Sequence, residues 1–389
     1  LIVKVTYLTI GEASAGVSKK LRDKTASLRQ AGLDVHLVIL GSEKNEFDAH
    51  VSRVQVNQSL AHKVGKLFFL WRLSVFFEQW ALYRAALNWV RAHPSDFILF
   101  RYPVGDFFLW GFLHRCPQRV VFEYNTIELA ELNLRKSASF YYQYFYWSER
   151  VFGKAVRVRS AGIIGVTPEI AQYQSAITKG SVPSIAISNG INVERVKQRA
   201  GADFDGAELR IVLLSGSQAQ WHGVDILLKS LEEIKNECKI ICYIAGQITK
   251  EQEDRARRIQ NVVVLPPQYG EDLDKLMDQC HLGIGTLGFE TSFLTQACPL
   301  KVREYWARGI PFVIAYEDAD LIQNTEMQPY FLRVQIENGT IRLNEVIDFA
   351  KKVYAAGNVP IRLRSLAKEQ IDYTVKAQQY VSFLYSLQA

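Results

Sequence analysis

The sequence predicts an α/β protein built from two parallel-sheet domains, and three observations carry that reading. At 389 residues the chain is longer than one hydrophobic core usually serves. Short apolar runs alternate with stretches of helical periodicity, the pattern of strand–helix–strand units. The alternation occurs twice, once on each side of a polar stretch running from Glu194 to Glu208.

The first series opens with an apolar strand, Leu1 to Ile10. A loop of small residues over 11–16 follows, and Val17 to Ala31 has helical spacing. Gly32-Leu33-Asp34 then leads into a second strand, Val35 to Leu40. Such a unit sets backbone N–H groups of a flexible loop at a helix N-terminus, where anions bind. Gly16 and Val17 are therefore candidate phosphate contacts. No Gly-Lys-Ser/Thr follows, and Gly-x-Gly-x-x-Gly is absent. The second strand ends in Leu40-Gly41 without an acid for a ribose, which argues against a dehydrogenase. Further strands are expected at Phe97–Arg101, Val120–Glu123, Gly162–Thr167 and Ile185–Ile187. The second series runs Leu209–Leu214, Lys239–Ala245, Val262–Leu265, Leu282–Leu287 and Phe312–Tyr316.

Charge is uneven along the chain. The net charge is +6, but residues 1–190 hold 23 Lys and Arg against 14 Asp and Glu, and the remainder 23 against 26. No basic run or zinc-finger spacing supports nucleic-acid binding. Five cysteines lack metal spacing; Cys238 and Cys242 flank an apolar run and read as buried thiols, which fits a reducing cytoplasm. No apolar run approaches the roughly 20 residues of a membrane span. The chain begins in a strand-like segment without Met, which leaves room for a trimmed leader. Between His62 and Arg91, Lys63, Lys66, Arg72, Arg84 and Arg91 interleave with Phe68, Phe69, Trp71, Phe76, Phe77, Trp80 and Trp89. That segment reads either as a helix lying on an anionic membrane surface or as an amphipathic helix whose rings pack inward.

The most informative stretch is Pro299-Leu300-Lys301-Val302-Arg303-Glu304-Tyr305-Trp306-Ala307-Arg308-Gly309-Ile310-Pro311. Val302, Tyr305 and Trp306 recur at helical spacing, and Gly309 then Pro311 supply a stop. The loop before this helix falls at the carboxyl edge of a parallel sheet, where open α/β folds bind ligands. Lys301, Arg303 and Glu304 are thus candidate contacts to an anionic ligand. Glu304 also stands at i,i+4 spacing from Arg308, which makes a plain helix-face pair the simpler alternative.

This segment resembles the PLK-x-x-EY-x-A-x-G-x-P signature of GT-B fold glycosyltransferases of the family-4 (group 1) type. Gly16-Val17, Ile164-Gly165-Val166-Thr167, Ser188-Asn189-Gly190-Ile191, Trp221-His222-Gly223 and Ala245-Gly246 occur in the order and spacing of like motifs, so the resemblance spans nearly the whole chain. It implies two Rossmann-like domains facing across a cleft. Residues 1–195, completed by 366–389, would form the acceptor side, and 196–365 the nucleotide-sugar side. A last helix, Ser365 to Leu387, would return to the first domain.

The resemblance also implies roles. Gly16, Val17, Ser217 and His222 would meet the donor diphosphate, where many members place an Arg and a Lys; Lys301 or Arg303 would then take over the charge. Glu304 would hold the ribose, with the base near Leu265 and backbone contacts around Gly246. Gln296 occupies the position of a Glu that contacts the donor sugar, and its amide carries no charge; Glu290 is a nearby substitute. In the first domain Glu123 and Asn125 would face the acceptor. Asp318-Ala319-Asp320 reads as loop acid rather than a metal site. The implied activity is metal-independent, retaining sugar transfer, with a nucleotide-sugar as co-substrate and no other cofactor. The acceptor would be a glycan or a lipid-linked sugar, in polysaccharide or glycolipid synthesis at the inner face of the plasma membrane. A catalytically weak partner subunit and a nucleotide-sugar epimerase are the alternatives.

Overall fold

The computed structural model describes residues 2–11, 15–41, 46–56, 73–234, 238–289 and 294–388. The chain forms two compact units: Leu1–Ser188 with Lys376–Ala389, and Asn189–Val375.

The first unit holds an eight-stranded sheet. In chain order its elements are β1 (Lys4–Ile10), α1 (Ala15–Gln30), β2 (Asp34–Leu40), β3 (Glu46–Phe47), β4 (Val51–Val54), α2 (Ser74–Ala92), β5 (Phe97–Arg101), α3 (Phe107–Arg115), β6 (Arg119–Tyr124), α4 (Glu128–Arg135), α5 (Phe140–Val158), β7 (Gly162–Gly165), α6 (Pro168–Ile177) and β8 (Ser184–Ala186). The strand order is β3-β4-β2-β1-β5-β6-β7-β8, parallel except for β3 against β4. Strands buried on both faces need near-continuous apolar runs, and Phe97–Phe100 and Val120–Phe122 are such runs, fully or almost fully buried. Helix starts follow the capping chemistry: the carboxylate of Asp106 accepts from Leu109 N–H, and the Thr167 hydroxyl accepts from Ile170 N–H with Pro168 in the first turn.

The second unit holds a six-stranded parallel sheet of order β11-β10-β9-β12-β14-β16. Its elements are β9 (Glu208–Ser215), α7 (Val224–Glu233), β10 (Lys239–Gly246), α8 (Lys250–Ala256), β11 (Val262–Leu265), α9 (Gly270–Gln279), β12 (Leu282–Ile284), β13 (Gln296–Ala297), α10 (Leu300–Arg308), β14 (Phe312–Ile314), β15 (Glu317–Asp318), β16 (Phe331–Arg333), α11 (Leu343–Ala355) and α12 (Val359–Gln370). A two-stranded parallel pair, β13 with β15, stands apart from the main sheet. In both sheets the first strand of the unit has neighbours reached by crossovers in opposite directions. Such a switch point splays the strand ends and opens a crevice at the carboxyl edge.

Two expectations are corrected. The stretch 194–208, read as a linker, is a strap on the second unit. Val193, Val196 and Phe204 are buried in that unit's core, and Arg199 donates from Nε to the carbonyl of Cys280 (2.6 Å). The units therefore divide after Ser188 rather than after 195. The expected helix Ser365–Leu387 is two helices, α12 and α13 (Tyr373–Ser386), broken at Ile371-Asp372. There the backbone leaves the helix to pair with Ile191: Ile191 N–H donates to Ile371 O (3.0 Å) and Tyr373 N–H to Ile191 O (3.0 Å). Asp372 then accepts from Val193 N–H and Thr374 N–H. Beyond this break α13 joins the first unit, where Ala377, Tyr380, Phe383 and Leu384 enter the core with β1, β2 and β5.

Candidate functional site

The signature segment folds as α10, with Pro299 as N-cap and Gly309 left-handed at the C-cap (φ 77°). Its buried face is Val302, Tyr305 and Trp306. Tyr305 sets the helix against the switch point of the second sheet. An added Cβ on Gly283 would lie 2.4 Å from the Tyr305 ring, so only glycine lets the ring lie flat on β12. The Tyr305 hydroxyl accepts from Leu214 N–H (3.1 Å) and lies 3.3 and 3.2 Å from the carbonyls of Val212 and Ile284. It thus replaces ladder bonds between β9 and β12 where those strands diverge.

Three loops meet at this edge. After β9 the chain runs through Ser215-Gly216-Ser217 into a 3-10 turn, Gln220–His222, and then α7. Gly223 adopts φ 74°, and a Cβ there would strike Leu287 at 2.5 Å, which packs this turn against the loop after β12. Gly246, at the end of β10, has φ 134°, and a Cβ would lie 1.8 Å from Ser215 O. Gly246 therefore acts by allowing close backbone approach rather than by a contact of its own. Ser215 Oγ lies 2.9 Å from the carbonyls of both Ser217 and Gln247, which fixes the first loop. Leu265 closes β11, half-buried, beside β10.

Within this frame Ser217, His222 and Lys301 come together. Ser217 Oγ and His222 Nε2 are 3.3 Å apart, and His222 Nδ1 is buried with no hydrogen-bond partner among the described residues. Burial, reinforced by the positive charge of Lys301, pushes His222 down to about 3. It is a neutral imidazole at physiological pH and supplies hydrogen bonds, not charge. Lys301 points its ammonium toward the carbonyl of Gly285 (3.4 Å), and burial lowers it to about 7. Among the described residues no carboxylate pairs with it. A partly buried cation with no counter-ion among the described residues is costly; loss of the proton, or a bound anion, relieves that cost.

The remaining expected residues fall in different places. Arg303 is not a ligand contact. It is fully buried, grips Asp318 through two 2.8 Å bonds, donates to Asp320 (2.5 Å), and donates from Nε to Asn189 O (2.9 Å). Its charge is spent inside the fold, and Asp318 and Asp320 are its counter-ions. Glu304 makes the helix-face pair: Arg308 Nε donates to its Oε1 (2.9 Å), and Oε2 has no partner among the described residues. Arg308 is itself divided between Glu304 and Asp274. Gln296 lies on β13 in register with Glu317, half-buried. Glu290 lies outside the described residues. Among the described residues no three His, Cys, Asp or Glu side chains gather as a metal site would.

In the first unit, Gly16 and Val17 lie in the first turn of α1, so they are part of the helix rather than of the loop before it. Glu123 is not an acceptor contact. It is fully buried and binds Lys24 (2.6 Å) and the Tyr380 hydroxyl (2.8 Å). Burial alone would raise this carboxyl, but Lys24, Lys20 and the two hydrogen bonds outweigh it and hold it at about 2. Its role is to tie β6 and α1 to the returning helix α13. Asn125, at the end of β6, borders an open pocket and accepts from Lys20 Nζ (3.0 Å). Tyr142, from an aromatic run 141–147 whose sequence allows a stacking platform for sugar rings, borders the same pocket, as does Arg101, which sequence reasoning missed. Arg101 ends a predicted strand at the carboxyl edge of the sheet, and that position was the available signal.

Residues 209–354 match the family model of the group 1 glycosyl transferases, so the second unit is of that type. No curated protein matches the chain. Among solved structures, the sucrose-phosphate synthase of Thermosynechococcus elongatus is 14% identical, covers 99% of both chains and superposes with a TM-score of 0.67. HepE of Anabaena, in complex with UDP and glucose, is 14% identical over 99% of this chain and 100% of its own, with a TM-score of 0.65. WaaG, a glycosyltransferase involved in lipopolysaccharide biosynthesis, is 12% identical over 96% and 98%, with a TM-score of 0.60. At these identities the likeness is one of fold, and that fold is GT-B.

Proposed function

From a second unit of the group 1 glycosyl transferase type, we propose that this protein transfers a sugar from a nucleoside diphosphate-sugar to a glycan or lipid-linked acceptor, with retention and without a metal. The observation that carries the reading is the half-buried Lys301 ammonium, which pairs with no carboxylate among the described residues and lies beside the neutral His222 at the sheet's switch point. In sugar transfer the leaving diphosphate gains negative charge as the glycosidic bond breaks. Lys301 would hold that charge in a site of low dielectric, where a fixed cation acts strongly. His222, with Nε2 facing Ser217, would present a hydrogen bond to a phosphate or sugar oxygen. The free Oε2 of Glu304 would accept from a ribose hydroxyl, with the base near Leu265. In the first unit, Gly16 and Val17 at the start of α1 are proposed as backbone contacts to an anion. The fold shared with HepE, which was solved with UDP, favours uridine as the base.

The membrane reading concerns the first unit. Residues 57–72 of the basic aromatic segment lie outside the described residues. In the described part, Leu73, Phe76 and Trp80 are exposed on or beside α2, and the Arg84 guanidinium stacks over the Trp80 ring at 5.0 Å. Val75, Leu82, Tyr83, Ala86 and Val90 face the core. This helix therefore packs into the core on one face and carries aromatic and basic side chains on the other, which supports the membrane reading. No helix among the described residues is long and apolar enough to cross a membrane, and we propose peripheral association at the cytoplasmic face.

The test is a thermal-shift series with UDP, GDP, ADP, dTDP and their sugars. A ligand present at about 100 times its Kd adds about 2.7 kcal/mol. One nucleotide clearly ahead is the expected result; no shift with any of them overturns the donor site. A second reading, a partner subunit without turnover, draws on the uncharged amide at Gln296, which cannot stabilise a developing oxocarbenium ion. It predicts nucleotide binding without nucleoside diphosphate release, in the wild type and in Gln296→Glu alike.

A further inference from the structure

The carboxyl edge of the first unit's sheet also opens at its switch point, between β1 and β5, into a pocket of about 370 Å³. That size is within the range of small-ligand sites. Its walls include Arg101 at the end of β5, Asn125 after β6, Glu128, Glu131 and Arg135 on α4, and Tyr142 on α5.

Two nitrogen donors of this pocket, on Arg101 and Asn125, have no partner among the described residues. Arg101 is half-buried, and among the described residues its guanidinium has neither an ion pair nor a hydrogen bond. A guanidinium cannot shed its proton, so partial burial without a partner leaves an unmet demand for an anion. Asn125 adds a second donor. Lys20, which can only donate, fixes Oδ1 as the acceptor, and Nδ2 is left buried with no acceptor among the described residues.

The acids on the walls are committed. Glu131 pairs with Arg135 at 3.5 Å. Glu128 accepts from Gln174 Nε2 (2.9 Å) and meets Arg157 at 3.4 Å. Burial raises Glu128 to about 8, with Arg157 opposing and Glu149 adding to the shift, so it carries a proton at neutral pH. Tyr142 supplies an aromatic wall and is itself steadied by the Arg135 guanidinium 5.8 Å from its ring centre.

We infer that this pocket binds an acidic sugar, with the carboxylate or phosphate on Arg101, a hydroxyl or ring oxygen on Asn125, and the sugar ring against Tyr142. The claim that this sugar is the transferase's acceptor rests on the function proposed above; the binding claim does not.

The experiment measures binding of glucuronate, glucose 6-phosphate, glucose and inorganic phosphate to the full chain by ligand-observed NMR, with and without UDP. The variants are Arg101→Gln, Arg101→Lys and Tyr142→Ala. Both acidic sugars should bind at least tenfold more tightly than glucose, the scale of a charge-assisted hydrogen bond. Arg101→Gln should abolish that preference and Arg101→Lys restore part of it, while Tyr142→Ala should weaken acidic sugars but not inorganic phosphate. Glucuronate ahead of glucose 6-phosphate would identify a uronic acid as the natural group, and the reverse a sugar phosphate. Among the described residues the Arg101 guanidinium makes no hydrogen bond or ion pair, so its variants should melt within a degree or two of the wild type.

Equal binding of glucose and the acids overturns the inference, as does inorganic phosphate matching the sugars or Arg101→Gln leaving affinity intact. A chain that binds acidic sugars through Arg101 but ignores UDP would sink the transferase reading alone.

Discussion

Replacing Lys301 by Met tests the central claim, because the same side chain should weaken the fold and hold the ligand. Burial lowers Lys301 from 10.5 to about 7. At about 1.4 kcal/mol per unit, ionising it in the fold costs on the order of 4–5 kcal/mol more than in water. Relaxation and water entry reduce such penalties, so Lys301→Met should stabilise the unliganded chain by about 2–4 kcal/mol at pH 7. For a domain of this size that raises Tm by roughly 5–10 °C. The sign follows from proton binding. Between pH 7 and 10.5 the unfolded chain binds this proton and the folded chain does not, so wild-type stability rises with pH across that window. The penalty is complete below 7 and gone above 10.5. The gap between variant and wild type should therefore be widest near pH 6–7 and shrink toward pH 10.

The same variant should lose ligand. Deleting a charge-assisted contact weakens affinity about tenfold or more. A UDP concentration that stabilises the wild type by about 2.7 kcal/mol should then stabilise Lys301→Met by about 1.4 kcal/mol or less. Differential scanning calorimetry at pH 7 and 9.5, with and without UDP, reads both effects. If Lys301→Met melts at or below the wild-type temperature at pH 7, the ammonium is already compensated. If the gap ignores pH, the lysine is not the titrating group. Either result refutes the reasoning.

Three further outcomes follow from the geometry. Arg303→Met should destabilise by about 3–5 kcal/mol, because Asp318 and Asp320 lose their buried counter-ion; a fold of normal stability with impaired nucleotide binding would instead return Arg303 to the ligand. Gly283→Ala should cost about 1–3 kcal/mol by driving a methyl into the Tyr305 ring, seen as a lower urea midpoint at unchanged slope. Finally, kcat/KM, which reports the free enzyme, should fall as pH rises through about 7, while kcat should hold to higher pH because the bound diphosphate keeps Lys301 charged. Calorimetry in buffers of different ionisation enthalpy should show proton uptake on UDP binding at pH 8, and a flat kcat/KM from pH 6 to 9 would remove Lys301 from the reaction.

The fold was legible wherever one physical signal decided it. Apolar runs marked the central strands, because parallel strands covered on both faces have no polar side to confuse the pattern. Gly309 and Pro311 marked the end of α10 for the same local reason. The misses arose where a long-range contact overrode the local signal. Nothing near Asp372 breaks a helix, yet the pairing of Ile191 with residues 371–373 does. The strap at 194–208 reads as polar, and only the carbonyls that Arg199 reaches show that it belongs to the second unit. At the site, spacing placed Lys301, Arg303 and Glu304 on one helix but could not say which faced the sheet edge. Two positions, a little over half a helical turn, separate the lysine proposed for the ligand from a structural arginine, and the acids that claim Arg303 lie fifteen and seventeen positions on.

These placements together make the electrostatics of the crevice depend on few groups. His222 is neutral, Gln296 is neutral, and Arg303 is neutralised by two aspartates. Of the residues that the sequence nominated for the diphosphate, Lys301 alone remains to carry positive charge, and it does so at a pKa that its surroundings have brought near neutrality. A site with several fixed cations would hold a diphosphate at any physiological pH and release it slowly. A site whose cation titrates near neutrality couples grip to occupancy: the ligand draws in the proton that helps to hold it, and its departure makes that proton easier to lose.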